Sequence, residues 1–195
     1  WDLKPTADAI LLAGTNRFVI HTSAHQPISK GPGMTLGVGQ MFSRNETWAE
    51  QSKPWMDYLA RTSFMLQAGK AANDLAVFYG EESSESAIYG SELPNIPNGY
   101  RYDYVSADAL LNMLSVENGA LTTESGMHYK AFILGKGAKK MTLPVLRKIK
   151  ELVEQGAVVI GTRPEDSPSL ADDPQEVQEL LDMLWPGGAS TTVGE

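Results

Sequence analysis

Cysteine is absent from all 195 residues. That removes disulfides, thiolate metal sites and a cysteine nucleophile together. It leaves the compartment open, because many exported proteins use no disulfides. Long apolar runs are absent too. None approaches the roughly 20 residues that span a bilayer as a helix, so no membrane span is expected. No basic stretch followed by an apolar core opens the chain as a signal peptide would. An excess of basic charge is also missing. Sixteen Lys and Arg face 24 Asp and Glu, a net charge of −8. Phosphate binding needs clustered Lys and Arg, so a nucleic-acid partner is disfavoured. The ordinary meaning of such a charge is solubility.

What is present can build a core. Apolar residues make up 42%, with 4 Trp, 7 Tyr and 5 Phe, the composition of a globular chain. The opening Trp1-Asp2-Leu3-Lys4-Pro5-Thr6 reads as the interior of a longer polypeptide.

The pattern along the chain alternates helices with short apolar runs. Pro5 to Gly14 reads as a helix closed by glycine, and Arg17 to Thr22 as a buried strand. A long loop follows from His25 to Asn45. Loops of that length are uncommon and usually functional. Thr47 to Gly69 carries helical periodicity, with Pro54 expected to kink it or to split a short first turn from a longer helix. After Gly69, Leu75 to Tyr79, Tyr102 to Val105, Ala131 to Leu134 and Ala157 to Ile160 read as buried strands. Between and after them come helices opened by Ser106, by Thr142 and by Asp173 or Pro174. Continuous apolar strands alternating with helices imply a mostly parallel sheet covered on both faces, an α/β doubly wound unit. A boundary is expected near Lys70. Residues 1–70 cannot close a core alone and should belong to a larger body. Residues 188–195 read as a flexible tail.

Phosphate signatures are missing from the second part. Gly135-Lys136-Gly137-Ala138-Lys139-Lys140 lacks P-loop spacing, and no G-x-G-x-x-G follows the first strand. Without cysteine, an amidotransferase nucleophile is excluded. This part is read as non-catalytic. The first part differs. His21, His25 and Gln26 stand at and just after the carboxyl end of an expected strand, where α/β folds place active sites. Two His, one Gln, Arg44, Asn45 and Glu46 around one loop suggest a polar pocket. Each His has an ordinary alternative, a cap or a hydrogen-bonding niche. Glu46 could stabilise a helix N-terminus or act as base or nucleophile. Trp48 could pack in the core or offer an aromatic platform to a sugar. Asn45-Glu46-Thr47 also fits a glycosylation sequon, read as accidental.

Three stretches resemble glycoside hydrolase family 106, the α-L-rhamnosidases. They are Asn16-Arg17-Phe18-Val19-Ile20-His21-Thr22-Ser23-Ala24-His25-Gln26-Pro27, Gly31-Pro32-Gly33-Met34-Thr35-Leu36-Gly37, and Arg44-Asn45-Glu46-Thr47-Trp48 running on through Trp55-Met56-Asp57-Tyr58-Leu59-Ala60-Arg61. Softer likeness continues in Asp74-Leu75-Ala76-Val77-Phe78-Tyr79-Gly80-Glu81 and Met141-Thr142-Leu143-Pro144-Val145-Leu146.

The resemblance implies a large, exported, periplasmic or extracellular bacterial enzyme. Such enzymes remove terminal L-rhamnose from plant glycans and glycosides with inversion. It implies that residues 1–70 end a catalytic (β/α)₈ barrel. Residues 71–187 would then form a flavodoxin-like, glutamine-amidotransferase-like domain. Glu46 becomes the general base, with the general acid on an earlier barrel strand outside this chain. His21, His25, Gln26, Arg44, Asn45 and Trp48 become substrate-binding. No cofactor or metal ligand is assigned within the chain, although calcium accompanies activity in the family. Partners are then the carbohydrate substrate and the remainder of the parent enzyme. The competing reading is a non-catalytic structural domain that mediates homo-oligomer contacts.

Overall fold

The computed structural model describes residues 2–27, 29, 33–34, 37, 42–81 and 96–187. The tail expected at residues 188–195 lies outside them, as do residues 82–95 and ten residues of the loop from His25 to Asn45. The chain divides into two compact units, Trp1–Ala71 and Ala72–Glu195.

The first unit is helical where it is regular. Helix α1 spans Leu3–Leu12, and α2 spans Lys53–Ala68 after a single 3₁₀ turn at Glu50–Ser52. Pro54 sits in the first turn of α2, where its missing N–H costs nothing. The expected helix from Thr47 is therefore split rather than kinked. The two helices are joined by a polar cluster. Lys4 Nζ lies 2.5 Å from Asp8 Oδ2 and 4.7 Å over the Tyr58 ring. The Tyr58 hydroxyl donates to Asp8 Oδ1. The Lys4 ammonium, then the Tyr58 hydroxyl, hold the Asp8 carboxyl below its ordinary value. Trp55 stacks on Tyr58 at 5.8 Å.

The expected strand from Arg17 to Thr22 is extended chain outside any sheet. Val19 is 93% exposed and Ile20 41%. A strand exists only when another backbone takes its N–H and C=O groups. Among the described residues no strand lies in this unit, so the β-prone run has nothing to pair with.

The second unit holds a parallel sheet in the order β2-β1-β6-β7. Its strands are β1 (Leu75–Phe78), β2 (Tyr102–Val105), β6 (Ala131–Leu134) and β7 (Val159–Ile160). Phe78 stands opposite Val105 on one side and Leu134 on the other. Helices α3 (Ala107–Met113), α4 (Leu143–Glu154) and α5 (Pro174–Leu184) follow β2, β6 and β7. Their caps are the expected ones at two ends. Ser106 Oγ accepts from the Ala109 N–H at 3.1 Å, and Asp173 Oδ1 from the Gln175 N–H at 2.9 Å. Asp74 anchors the foot of the sheet, accepting from Lys130 Nζ at 2.6 Å and from the Arg101 N–H at 3.3 Å.

Two features depart from expectation. First, a three-stranded antiparallel sheet stands between α3 and β6, with β3 (Leu114–Glu117), β4 (Ala120–Thr123) and β5 (His128–Tyr129). Its first turn is Asn118-Gly119, with Asn118 in the left-handed region at φ 53°. Asn-Gly between paired runs is the strongest short-range hairpin signal. Second, the described helices share one face. Leu110, Ile149 and Leu181 join Ala76, Phe78, Phe132 and Leu134 in a single core, together with Leu114, Leu121 and Tyr129 of the antiparallel sheet. The chain passes from β2 to β6 and on to β7 in one direction across the sheet. Right-handed crossovers then place α3 and α4 on the same side. Tyr129 donates to Asp103 at 2.9 Å, and burial, then that bond, push its hydroxyl well above the ordinary range.

Candidate active site

The expected site residues fall between His21 and Trp48 in the first unit. The segment's ends meet, because the Phe42 N–H donates to the Thr22 carbonyl at 3.2 Å. Within it, Gln26 engages the backbone of Met34 at both ends of its amide. Gln26 Nε2 donates to Met34 O at 2.6 Å, and the Met34 N–H donates to Gln26 Oε1 at 2.8 Å. Arg44 Nη2 donates to the Gln26 carbonyl at 3.2 Å. Gly33 faces both the Gln26 Oε1 and the Asn45 Nδ2. Gln26 and Asn45 thereby meet at one glycine, and Arg44 joins them through the Gln26 carbonyl. Gln26 spends its amide on the loop itself, which leaves less of it for a sugar than a free binding residue has.

Glu46 stands in the turn that leaves this cluster. Its N–H donates to Ser43 O at 3.2 Å, and its own carbonyl accepts from the Ala49 N–H at 3.1 Å. The side chain is half-buried. Helix α2 begins at Lys53 directly after the 3₁₀ turn at Glu50–Ser52, and the turns that lead into it start at Glu46 itself, so its position fits a helix-terminus charge as well as a base. Trp48 packs edge-on against Phe42, ring centres 5.4 Å apart, and is half-buried. That contact is a packing role for one edge of the indole. His21 and His25 are exposed, and no hydrogen bond brings either to Glu46. Gly33 and Met34 were not singled out as site residues by sequence. Their signal was the Gly-Pro-Gly run within a polar loop.

Two other places invite a ligand. A groove of 430 Å³ in the first unit is lined by Arg17, Phe18, Ile20, Leu59, Phe64 and neighbours. None of the expected site residues lines it. Its wall mixes apolar side chains with the polar ends of Arg17, Ser63 and Gln67. In the second unit the strand order reverses between β1 and β6, the usual crevice of open α/β sheets. There Gly80 lies against the backbone of Gly137 and Ala138 with no room for a Cβ. The Gly135 N–H closes onto the Phe78 carbonyl at 2.8 Å. The N-terminus of α4, a natural anion site, is taken by the protein's own carboxylates. Glu81 accepts from the Thr142 N–H at 2.8 Å and its hydroxyl at 3.0 Å. Asp172 accepts from the Leu143 N–H at 2.8 Å. Among the described residues no three His, Asp or Glu side chains converge to ligate a metal.

All of residues 1–195 match the family model Glyco_hydro_106, described as alpha-L-rhamnosidase. The chain belongs to glycoside hydrolase family 106. The structure resembles that of a rhamnosidase from Novosphingobium sp. PP1Y, with a TM-score of 0.80 and 42% identity over 93% of this chain and 18% of that one. A protein of Formosa agariphila, provisionally named a beta-glucuronidase, is 39% identical over 191 residues, 96% of this chain and 16% of its own. The chain thus spans less than a fifth of the length of either. Among the described residues no helix is long and apolar enough to cross a membrane. The family-106 sequence motifs that surround Gln26, Gly33 and Arg44 are the same residues that the fold draws together.

Proposed function

We propose that this chain is the carboxyl-side part of the catalytic body of an exported, inverting α-L-rhamnosidase acting on plant glycans or glycosides. Residues 1–70 end a (β/α)₈ barrel, and residues 71–187 form a flavodoxin-like domain without a reaction of its own. Family membership over the whole chain supports the reaction class. The position of Glu46 carries the assignment of the base. It is a half-buried carboxylate in the turn that leaves the loop, next to Arg44 and Asn45.

Inversion needs two carboxyl groups roughly 6.5–9.5 Å apart, with a water between them and the anomeric carbon. In this reading Glu46 takes a proton from that water as its oxygen bonds to the anomeric carbon. The general acid, on the longer polypeptide, gives a proton to the departing glycosidic oxygen. His21 and His25, both exposed, meet sugar hydroxyls in this reading.

The test is turnover of an aryl α-L-rhamnoside by the longer enzyme, with an aryl β-glucuronide alongside because one relative bears that name. Hydrolysis of the rhamnoside to the β-anomer first, abolished by Glu46→Gln, is the expected result. Preference for the glucuronide would replace the sugar class. Measurable turnover by the 195-residue chain alone would put the acid inside it and overturn the two-part reading.

A further inference from the structure

Gly33 is left-handed, with φ 82°, and a methyl added there would overlap Gln26 Oε1 and Asn45 Nδ2. Only a residue without a Cβ lets those two amides come so near one backbone. Beside it, Gln26 both donates to and accepts from Met34, at 2.6 and 2.8 Å. That two-point contact imitates a neighbouring strand. It needs a side chain carrying a donor and an acceptor side by side, which Gln has and Glu lacks when ionised. The third element is Arg44, whose guanidinium donates to the Gln26 carbonyl at 3.2 Å.

Arg44 and Asn45 immediately precede Glu46, and the Glu46 N–H is itself tied to Ser43 at 3.2 Å. The residues that touch Gln26 and Gly33 therefore set where the Glu46 peptide lies. We propose that Gln26 and Gly33 form a latch that positions Glu46, and that Gln26 acts on the reaction through the loop rather than by holding the sugar. The proposal rests on the reading of Glu46 as base. A base must stand within hydrogen-bond reach of the proton it removes, and a misplacement of about 1 Å costs on the order of 10²-fold in rate.

Two measurements test it. The first is hydrogen exchange of the segment that contains Met34, read by mass spectrometry in the longer enzyme. Gln26→Ala and Gln26→Glu should each speed Met34 exchange roughly tenfold, the worth of one neutral hydrogen bond. Gly33→Ala should do the same although it deletes no polar group. Unchanged Met34 exchange in all three overturns the latch. The second is kinetics of the longer enzyme. Gln26→Ala and Gly33→Ala should each lower kcat by about 10²-fold with KM held, and the double variant should fall no further, as coupled parts of one unit do. A raised KM with kcat intact in Gln26→Ala, and no effect of Gly33→Ala, would make Gln26 a sugar ligand and overturn the proposal. Should Gly33→Ala misfold, Gln26→Glu carries the test, since it changes one terminal group. Exchange at Met34 does not depend on catalysis. A Glu46→Gln enzyme that keeps its turnover would thus remove the base while leaving the latch to be decided separately.

Discussion

The two units handle apolar surface in opposite ways. Among the described residues the first buries four apolar side chains, Ala7, Leu11, Ala24 and Leu59, and exposes nine large ones, including Val19, Phe64 and Met65. The second buries 26 and exposes six. Burial contributes about 25 cal/mol per Å² of apolar surface, and ordering each residue costs about 1–2 kcal/mol in backbone entropy. The second unit has the core to offset that cost. The first does not, and it is the one that carries the candidate chemistry. A site whose scaffold is completed by other parts of a polypeptide is expected to look like this when its own share is viewed alone.

The largest expected effect lies in the first unit and spares stability. In the longer enzyme Glu46→Gln should lower turnover by about 10²–10⁴-fold, the usual loss for a general base. Its melting temperature should not move. A variant that keeps near-full turnover would take Glu46 out of the site.

The next effect is purely structural and belongs to the second unit. Phe132 is fully buried and stacks on Phe78 with ring centres 5.9 Å apart. Phe132→Ala should cost about 3–5 kcal/mol in chemical denaturation. A loss under about 1 kcal/mol would mean that this core is not as closed as its burial indicates.

Capping offers a smaller effect in the same unit. Ser106→Ala removes the acceptor for the Ala109 N–H and should cost about 1 kcal/mol. No change in the denaturation midpoint would show that water replaces the cap.

Acid should act on the second unit through two carboxylates. The Lys130 ammonium, then the Arg101 N–H, hold Asp74 below its ordinary value of 3.8. The Ser167 hydroxyl, then the Leu143 N–H, do the same for Asp172. A group with a lowered folded pKa adds stability above its unfolded value and loses it as pH falls through the folded one. Melting temperature should therefore drop as pH is lowered from about 5 past the ordinary value. The combined Asp74→Asn and Asp172→Asn variant should show a shallower acid slope. An unchanged slope would remove both from the account.

The smallest effect separates the chain from its longer context. Val19→Ser should change the stability of this chain by less than about 0.5 kcal/mol, as at other exposed sites. In the longer enzyme, where a barrel strand would be buried on both faces, it should cost clearly more. Equal, negligible effects in both would sink the reading of residues 17–22 as a barrel strand.

Legibility of the site was uneven. The polar loop and its members, Gln26, Arg44, Asn45 and Glu46, were visible as a concentration of chemistry in one loop. Their roles were not. Gln26 was expected at the sugar, and the contact of its amide with Met34, eight positions away, was not foreseen. Trp48 offered a core or a platform reading, and its contact with Phe42 was visible in neither. Side-chain commitments across a loop have no periodicity to betray them.

By itself the sequence determined what depends on near neighbours. Strands β2 and β6 begin and end where the apolar runs do, and Ser106 and Asp173 open helices because their oxygens reach N–H groups two or three residues on. The Asn118-Gly119 hairpin belongs to the same class, since its signal is a dipeptide. Tertiary structure alone decided the rest. Arg17 to Thr22 has every local mark of a strand and is none, because a strand is a relation between two backbones and its partner is not among the described residues of its unit. The helices of the second unit share one face because of the order in which the chain crosses the sheet, which no window of sequence contains. Gln26 found its place because Gly33 leaves room for it, and that room exists only once the loop has closed.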